Sequence, residues 1–116
     1  RRSQVEPVSA QRTYRFGNVI LDINSRECKV NGEIIPLTPT EYDLLVFLVR
    51  HPNHVFSRSR LLEAADLGVF EGVERTVDVH IHNLRKKIEA NPADPKIILT
   101  VFGVGYRFVS PINNTE

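Results

Sequence analysis

Four side chains suited to reading a duplex fall within one short stretch: Val79, His82, Asn83 and Lys86. An amide matches the donor and acceptor pair on the edge of adenine. An imidazole or a cation meets guanine or phosphate, and an aliphatic group packs on a thymine methyl. Such a set works only if a rigid element presents it on one side. The run from Arg75 to Ala90 predicts that element. Val77, Ile81, Leu84 and Ile88 recur at offsets of four, three and four, which gathers them into one apolar stripe at the helical period. At about 100° per residue the opposite face carries Arg75, Val79, His82, Asn83 and Lys86. Lys87 and His80 border the stripe on one side, Arg85 and Asp78 on the other. A polar face alone is usually just a solvated face, so the flanking chain matters.

After the helix, Asn91-Pro92-Ala93-Asp94-Pro95 stops the helical pattern and turns the chain. Two β-type runs follow, Ile97 to Phe102 and Tyr106 to Val109, joined through Gly103-Val104-Gly105 as a tight glycine-bearing hairpin. A donor-rich helix followed by a terminal hairpin is the pattern of a winged helix.

The preceding chain supplies the support. Residues 1–12 are polar, aperiodic and proline-containing, and read as a linker, which implies a piece of something longer. Short β-type runs between Tyr14 and Leu37 alternate with turn residues. Asn31-Gly32 is a strong two-residue hairpin signal, and the whole predicts a four-stranded antiparallel sheet. Thr38-Pro39-Thr40-Glu41 predicts a helix start with a capping box and a proline lead. Leu44, Leu45, Leu48 and Val49 continue it as a core face. Ser57 caps a second helix from Arg58 to about Ala65, with Leu61, Leu62 and Ala65 inward. The loop from Asp66 to Glu74 is glycine-bearing and apolar, and is either tucked onto the core or offered to a partner. The order is sheet, three helices, hairpin: an α+β domain over 13–110, with 111–116 as a tail.

Bulk properties fit one soluble domain. The chain has 116 residues, 41% apolar and 25% charged. No apolar run approaches the roughly 20 residues a bilayer requires, and no signal-peptide pattern opens the chain, so no membrane contact is expected. The single cysteine, Cys28, excludes an internal disulfide framework and fits a reducing cytoplasm. Net charge is +1, but unevenly spread: residues 75–107 hold six Lys/Arg against three acids. The positive charge thus sits with the helix and hairpin, as a nucleic-acid face requires.

Other chemistries find little support. His51-x-x-His54 lacks a third ligand, and His80 and His82 point about 200° apart on a helix, so neither pair predicts a metal site. Asp78 and His82 are four apart and within hydrogen-bonding reach, but no nucleophile accompanies them. Gly103-Val104-Gly105 precedes no helix, so it is no phosphate cradle. No enzyme activity, cofactor or metal is expected. A winged helix used for protein–protein contact, with little DNA affinity of its own, is the alternative function; Phe102 and Asp66 favour it, while Asn83, Lys86 and Lys87 oppose it.

The runs LTPTEYDLL, VFSRSRLLE, RTVDVHIHNLRKKIE and VFGVGYRF resemble the successive landmarks of the OmpR/PhoB family, the winged helix-turn-helix effector domains of bacterial two-component response regulators. The likeness covers residues 14 to 109. It implies a three-helix core between the four-stranded sheet and the hairpin wing, and transcriptional control by binding promoter DNA, commonly as two protomers on tandem direct repeats. It further implies a receiver domain before the linker, through which a sensor kinase acts and the homodimer forms. By this resemblance Val79, His82, Asn83 and Lys86 contact bases. Arg58, Arg75, Thr76, Arg85, Lys87, Thr100 and Tyr106 lie along the backbone, with Arg85 alternatively in an internal ion pair. Phe102, Gly103 and Arg107 belong to the wing at the minor groove. Leu67, Val69, Phe70 and Glu71 sit in the loop that in activators touches RNA polymerase. The chain departs from the family where arginines are frequent (His82, Asn83), at Phe102 in place of a wing arginine, and at Asp66 in place of a tryptophan. Weaker minor-groove readout is therefore expected.

Overall fold

A computed structural model of the chain describes residues 13–65 and 74–109, with side chains in the second segment from Thr76 onward. The linker over 1–12, the tail over 111–116 and the loop residues 66–73 lie outside the described residues. The architecture is α+β: a four-stranded sheet, three helices and a C-terminal hairpin.

Strands β1 (Thr13–Phe16), β2 (Val19–Asp22), β3 (Glu27–Val30) and β4 (Glu33–Ile35) pair antiparallel in that order. Asn31 and Gly32 both adopt positive φ, 55° and 85°, as the tight turn between β3 and β4 demands. Leu21 lies opposite Cys28 in the register, and both are buried with Phe16 and Val19 on the inner face. Pro36, which has no N–H to donate, follows the end of β4, so the strand stops short of the Ile34–Leu37 run.

Helix α1 (Pro39–Arg50) begins as its sequence predicts. The Thr38 hydroxyl accepts from the Glu41 N–H and the Glu41 carboxylate accepts from the Thr38 N–H, both at 3.1 Å. Leu44, Leu45, Leu48 and Val49 are buried. The Ser57 hydroxyl caps α2 (Arg58–Ala64) by accepting from the Arg60 N–H, and Leu61, Leu62 and Ala65 are buried. Helix α3 spans Glu74–Ile88, two residues short of Ala90. The wing consists of β6 (Ile98–Val101) and β7 (Gly105–Phe108), in register Thr100 to Tyr106.

One strand escapes the sequence pattern. Phe56–Ser57, called β5 here, pairs with β7 and makes the wing a three-stranded sheet in the order β5-β7-β6. Two residues carry no period to read. The pairing fixes the start of α2 to the wing, because Ser57 is at once a strand residue and the helix cap. At the opposite end of β7, the Phe108 ring meets Phe16 edge-on at 5.0 Å and joins the wing base to the N-terminal sheet.

Candidate nucleic-acid interface

The apolar stripe of α3 is buried throughout: Val77, Ile81 and Leu84 have no exposure and Ile88 has almost none. Burying four such side chains is worth several kcal/mol, on the order of 1.5–3 each, so the roll of the helix about its axis is fixed by the core. Its opposite face is thereby presented. Val79 is 56% exposed, an unusual position for an aliphatic group. His82 and Lys86 are exposed beside it, and Asn83 is half-buried at the margin.

The two borders of α3 are locked by polar contacts, and here the geometry divides the sequence-expected backbone contacts into two groups. Lys87 donates to Glu41 Oε1 at 2.5 Å, a carboxylate that is almost fully buried. Arg85 donates from Nε and Nη2 to the Ile98 carbonyl, at 3.1 and 2.7 Å, and from Nη2 to the Thr100 hydroxyl at 2.8 Å. Its guanidinium also lies 5.5 Å from the centre of the Tyr106 ring. Arg85 is therefore internal, but its acceptors are a carbonyl and a hydroxyl rather than the acid that an ion pair would need.

Asp78 is the third lock. Its Oδ1 accepts from the Tyr106 hydroxyl at 2.6 Å and from Arg58 Nε at 3.1 Å. The carboxylate turns along the helix flank toward α2 and the wing, where two donors converge. Burial, and then the bond to Asp78, push the Tyr106 hydroxyl up to about 12, so it stays a donor across the physiological range. One oxygen thus joins α3 to the first residue of α2 and to β7. Arg58 remains about half exposed while held there.

Glu89 was missed as a structural residue. It is 7% exposed, and its two oxygens accept from the backbone N–H groups of Lys96, Ile97 and Ile98 at 2.8 to 3.2 Å. It sets the entry of β6 against the end of α3. The signal was present in one form: a carboxylate is disfavoured beside the negative end of a helix, so an acid there needs donors from elsewhere.

In the wing, Phe102 is 90% exposed, with Gly103 and Val104 exposed next to it. Thr100 and Arg107 are half-buried and Tyr106 is buried. Thr76 is half-buried on α3. The side chain of Arg75, and Asp66, Leu67, Val69, Phe70 and Glu71, lie outside the described residues.

The remaining candidates for other chemistry are engaged in packing. The His51 ring lies against Phe47 and Phe56, and the His54 ring stacks on Phe56 at 4.4 Å. Among the described residues no three His, Cys, Asp or Glu side chains group as metal ligands, and no helix is long and apolar enough to cross a membrane. Burial pushes the Cys28 thiol up to about 11, against a small downward pull from Lys87, which leaves it protonated and unreactive near neutrality.

Comparison with known proteins gives concordant results. Residues 32–108 match the family described as "Transcriptional regulatory protein, C terminal". The alkaline phosphatase synthesis transcriptional regulatory protein SphR of Synechococcus elongatus is 43% identical over 109 residues, covering 92% of this chain and 42% of SphR. Among solved structures, the response regulator DrrB, an OmpR/PhoB homolog of Thermotoga maritima, superposes with a TM-score of 0.80 at 32% identity, covering 89% of this chain and 46% of DrrB. The Klebsiella pneumoniae RstA DNA-binding domain, solved in complex with the RstA box, superposes with a TM-score of 0.75 at 33% identity, covering 85% of this chain and 98% of that one. The chain spans less than half the length of the curated relatives it matches, as the 42% of SphR illustrates.

Proposed function

This chain belongs to the OmpR/PhoB-type family of transcriptional regulatory protein C-terminal domains, and from that premise we propose that it is the DNA-binding output domain of a two-component response regulator. The observation that carries the reading is the presented face of α3. A helix rolled into place by a fully buried stripe exposes Val79, His82 and Lys86 together, and the similar RstA domain has been solved on DNA. In this reading α3 enters the major groove and the wing approaches the minor groove. Asn83 pairs with adenine, Val79 meets a thymine methyl, and His82 and Lys86 add polar and cationic contacts. Arg58, Arg75 and Thr76 serve the backbone and Arg107 the wing at the minor groove, while Tyr106, buried and bonded to Asp78, positions Arg58 and the wing from within. Arg85, Lys87 and Thr100 act from behind, because their polar groups are already bonded to Ile98, Glu41 and Arg85.

Binding as two protomers on tandem direct repeats, dimerised through a receiver domain that a sensor kinase controls, belongs to the same proposal. So does contact with RNA polymerase through Leu67, Val69, Phe70 and Glu71. Avidity from such a dimer raises the effective concentration of the second site.

The test is fluorescence anisotropy of the chain with a random-sequence duplex pool, titrated across salt, with bound duplexes then sequenced. A log–log salt slope of several units and an enriched half-site are expected. No retention of any duplex at low salt, even after fusion to an artificial dimeriser, leaves the protein-docking winged helix standing instead. Two variants refine the reading. Asn83→Ala is expected to lose about 1–3 kcal/mol of discrimination at one base pair, seen as a relaxed position in the selected site; an unchanged site removes Asn83 from the reading set. Lys86→Ala is expected to weaken binding to all sequences and to lower the salt slope by about one unit. Unaltered affinity and slope would mean that Lys86 points away from the duplex.

A further inference from the structure

The tip of the wing does not fit a phosphate-binding role. From Thr100 to Gly105 it carries no charged side chain, yet Phe102 at its apex is 90% exposed and Val104 is 54% exposed. A ring at this position has no core to join: β6 and β7 run only four residues each, and the turn holds Phe102 beyond their pairing. The base beneath it is rigid. Arg85 grips Ile98 and Thr100, Tyr106 is bonded to Asp78, and β7 is flanked by strands on both sides. A fixed hairpin therefore holds an aromatic ring in water.

The surroundings indicate what covers it. One recess is lined by Arg58, Thr100, Val101, Phe102, Val104 and Tyr106, so the apolar apex shares a surface with Arg58, a half-exposed cation. That same Arg58 is tied through Asp78 to the flank of α3, on the helix whose exposed face is assigned to DNA. A cation placed for phosphate beside an apolar ring placed for sugar and base is the chemistry of a minor-groove wall. Apolar side chains inserted there part adjacent base pairs and bend the duplex, by roughly 20–90°.

We propose that Phe102 is an apolar wedge, which enters the minor groove beside the α3 half-site, unstacks one base step and bends the DNA. The proposal rests on the DNA-binding reading above. Sequence preference at that step follows from deformability and not from hydrogen bonds: a pyrimidine–purine step, the easiest to open, is favoured.

The experiment uses the whole chain with duplexes selected from the random pool. These carry 2-aminopurine at successive positions through the half-site and its flank, and a donor and acceptor dye at the two ends. With the unaltered chain, 2-aminopurine fluorescence rises at one flanking position and energy transfer between the ends increases. With Phe102→Ala both signals are lost and affinity drops by about tenfold, the scale of one lost base–aromatic stack. Phe102→Leu, still apolar and able to wedge, retains part of both. Because the side chain is almost wholly in water, the melting temperatures of the variants stay unchanged. Equal fluorescence and energy transfer for the unaltered chain and Phe102→Ala, with binding intact, overturn the wedge and leave the DNA-binding reading standing. Failure of the unaltered chain to retain any duplex overturns the DNA-binding reading together with the wedge.

Discussion

Gly105→Ala is expected to destabilise the domain by about 3 kcal/mol, at the upper end of what overpacking costs. A Cβ at this position would stand 1.9 Å from the Phe56 carbonyl oxygen, and 2.9 Å from both the Phe56 carbonyl carbon and Ser57 Cα. All three are backbone atoms, so no side chain can swing aside to make room. Either β7 separates from β5 or the fold does not form. Separation has further consequences, because Ser57 is also the cap of α2 and Arg58, the next residue, is bonded to Asp78 on α3. The lost strand pair therefore carries the cap and one α3 lock with it. In a thermal melt the midpoint should fall by roughly 12–24 °C for a domain of this size. Gly103→Ala supplies the contrast. It has nothing within 4 Å and only its φ of 83° to lose, so about 1–2 kcal/mol is expected from the left-handed backbone alone. If the two alanine variants melt alike, the close approach of β5 to β7 does not govern stability.

What the sequence makes legible follows from how far apart the determining residues lie. The capping box at Thr38 and Glu41, the Asn31-Gly32 turn and the α3 stripe are each determined within a few residues, and the fold has them where the pattern predicts. The family resemblance is carried by the same local runs. Contacts between distant segments are another matter. Arg58 and Tyr106 reach Asp78 from 20 and 28 residues away, and β5 is too short to show alternation. Arg85 and Lys87 illustrate the limit for function. On a helical wheel they are cations bordering the exposed face of α3; only tertiary packing reveals that Ile98, Thr100 and Glu41 take up their donors. Phe102 is the converse case, since its identity is read directly but its exposure is not.

Glu41 and Lys87 carry the second large effect, and it separates structural cations on α3 from DNA-binding ones. Glu41 is 2% exposed, and a single oxygen accepts both from the Thr38 N–H that starts α1 and from the Lys87 ammonium on α3, 46 residues away. Removing one partner of a buried pair leaves the other uncompensated, which costs about 3–5 kcal/mol. Glu41→Ala loses the pair and the cap together and should fall at that level. The Lys87 side chain keeps 29% of its surface exposed, so its stem can carry the ammonium toward water and soften the loss. Glu41→Gln retains an acceptor for the Thr38 N–H but no charge, and should lose less than the alanine variant. Lys87→Met alone strands the Glu41 carboxylate among apolar neighbours. Combined with Glu41→Gln it removes both charges, so the double variant should be more stable than the sum of the two losses predicts. Denaturant titrations of the two singles and the double measure that coupling, and strict additivity would mean that the pair contributes nothing to the fold. The same variants bear on DNA. In the double variant, once its folding is verified, the salt slope should match that of the unaltered chain, because Lys87 spends its charge on Glu41; a slope lowered by about one unit, as expected for Lys86→Ala, would return Lys87 to the phosphate-contacting set.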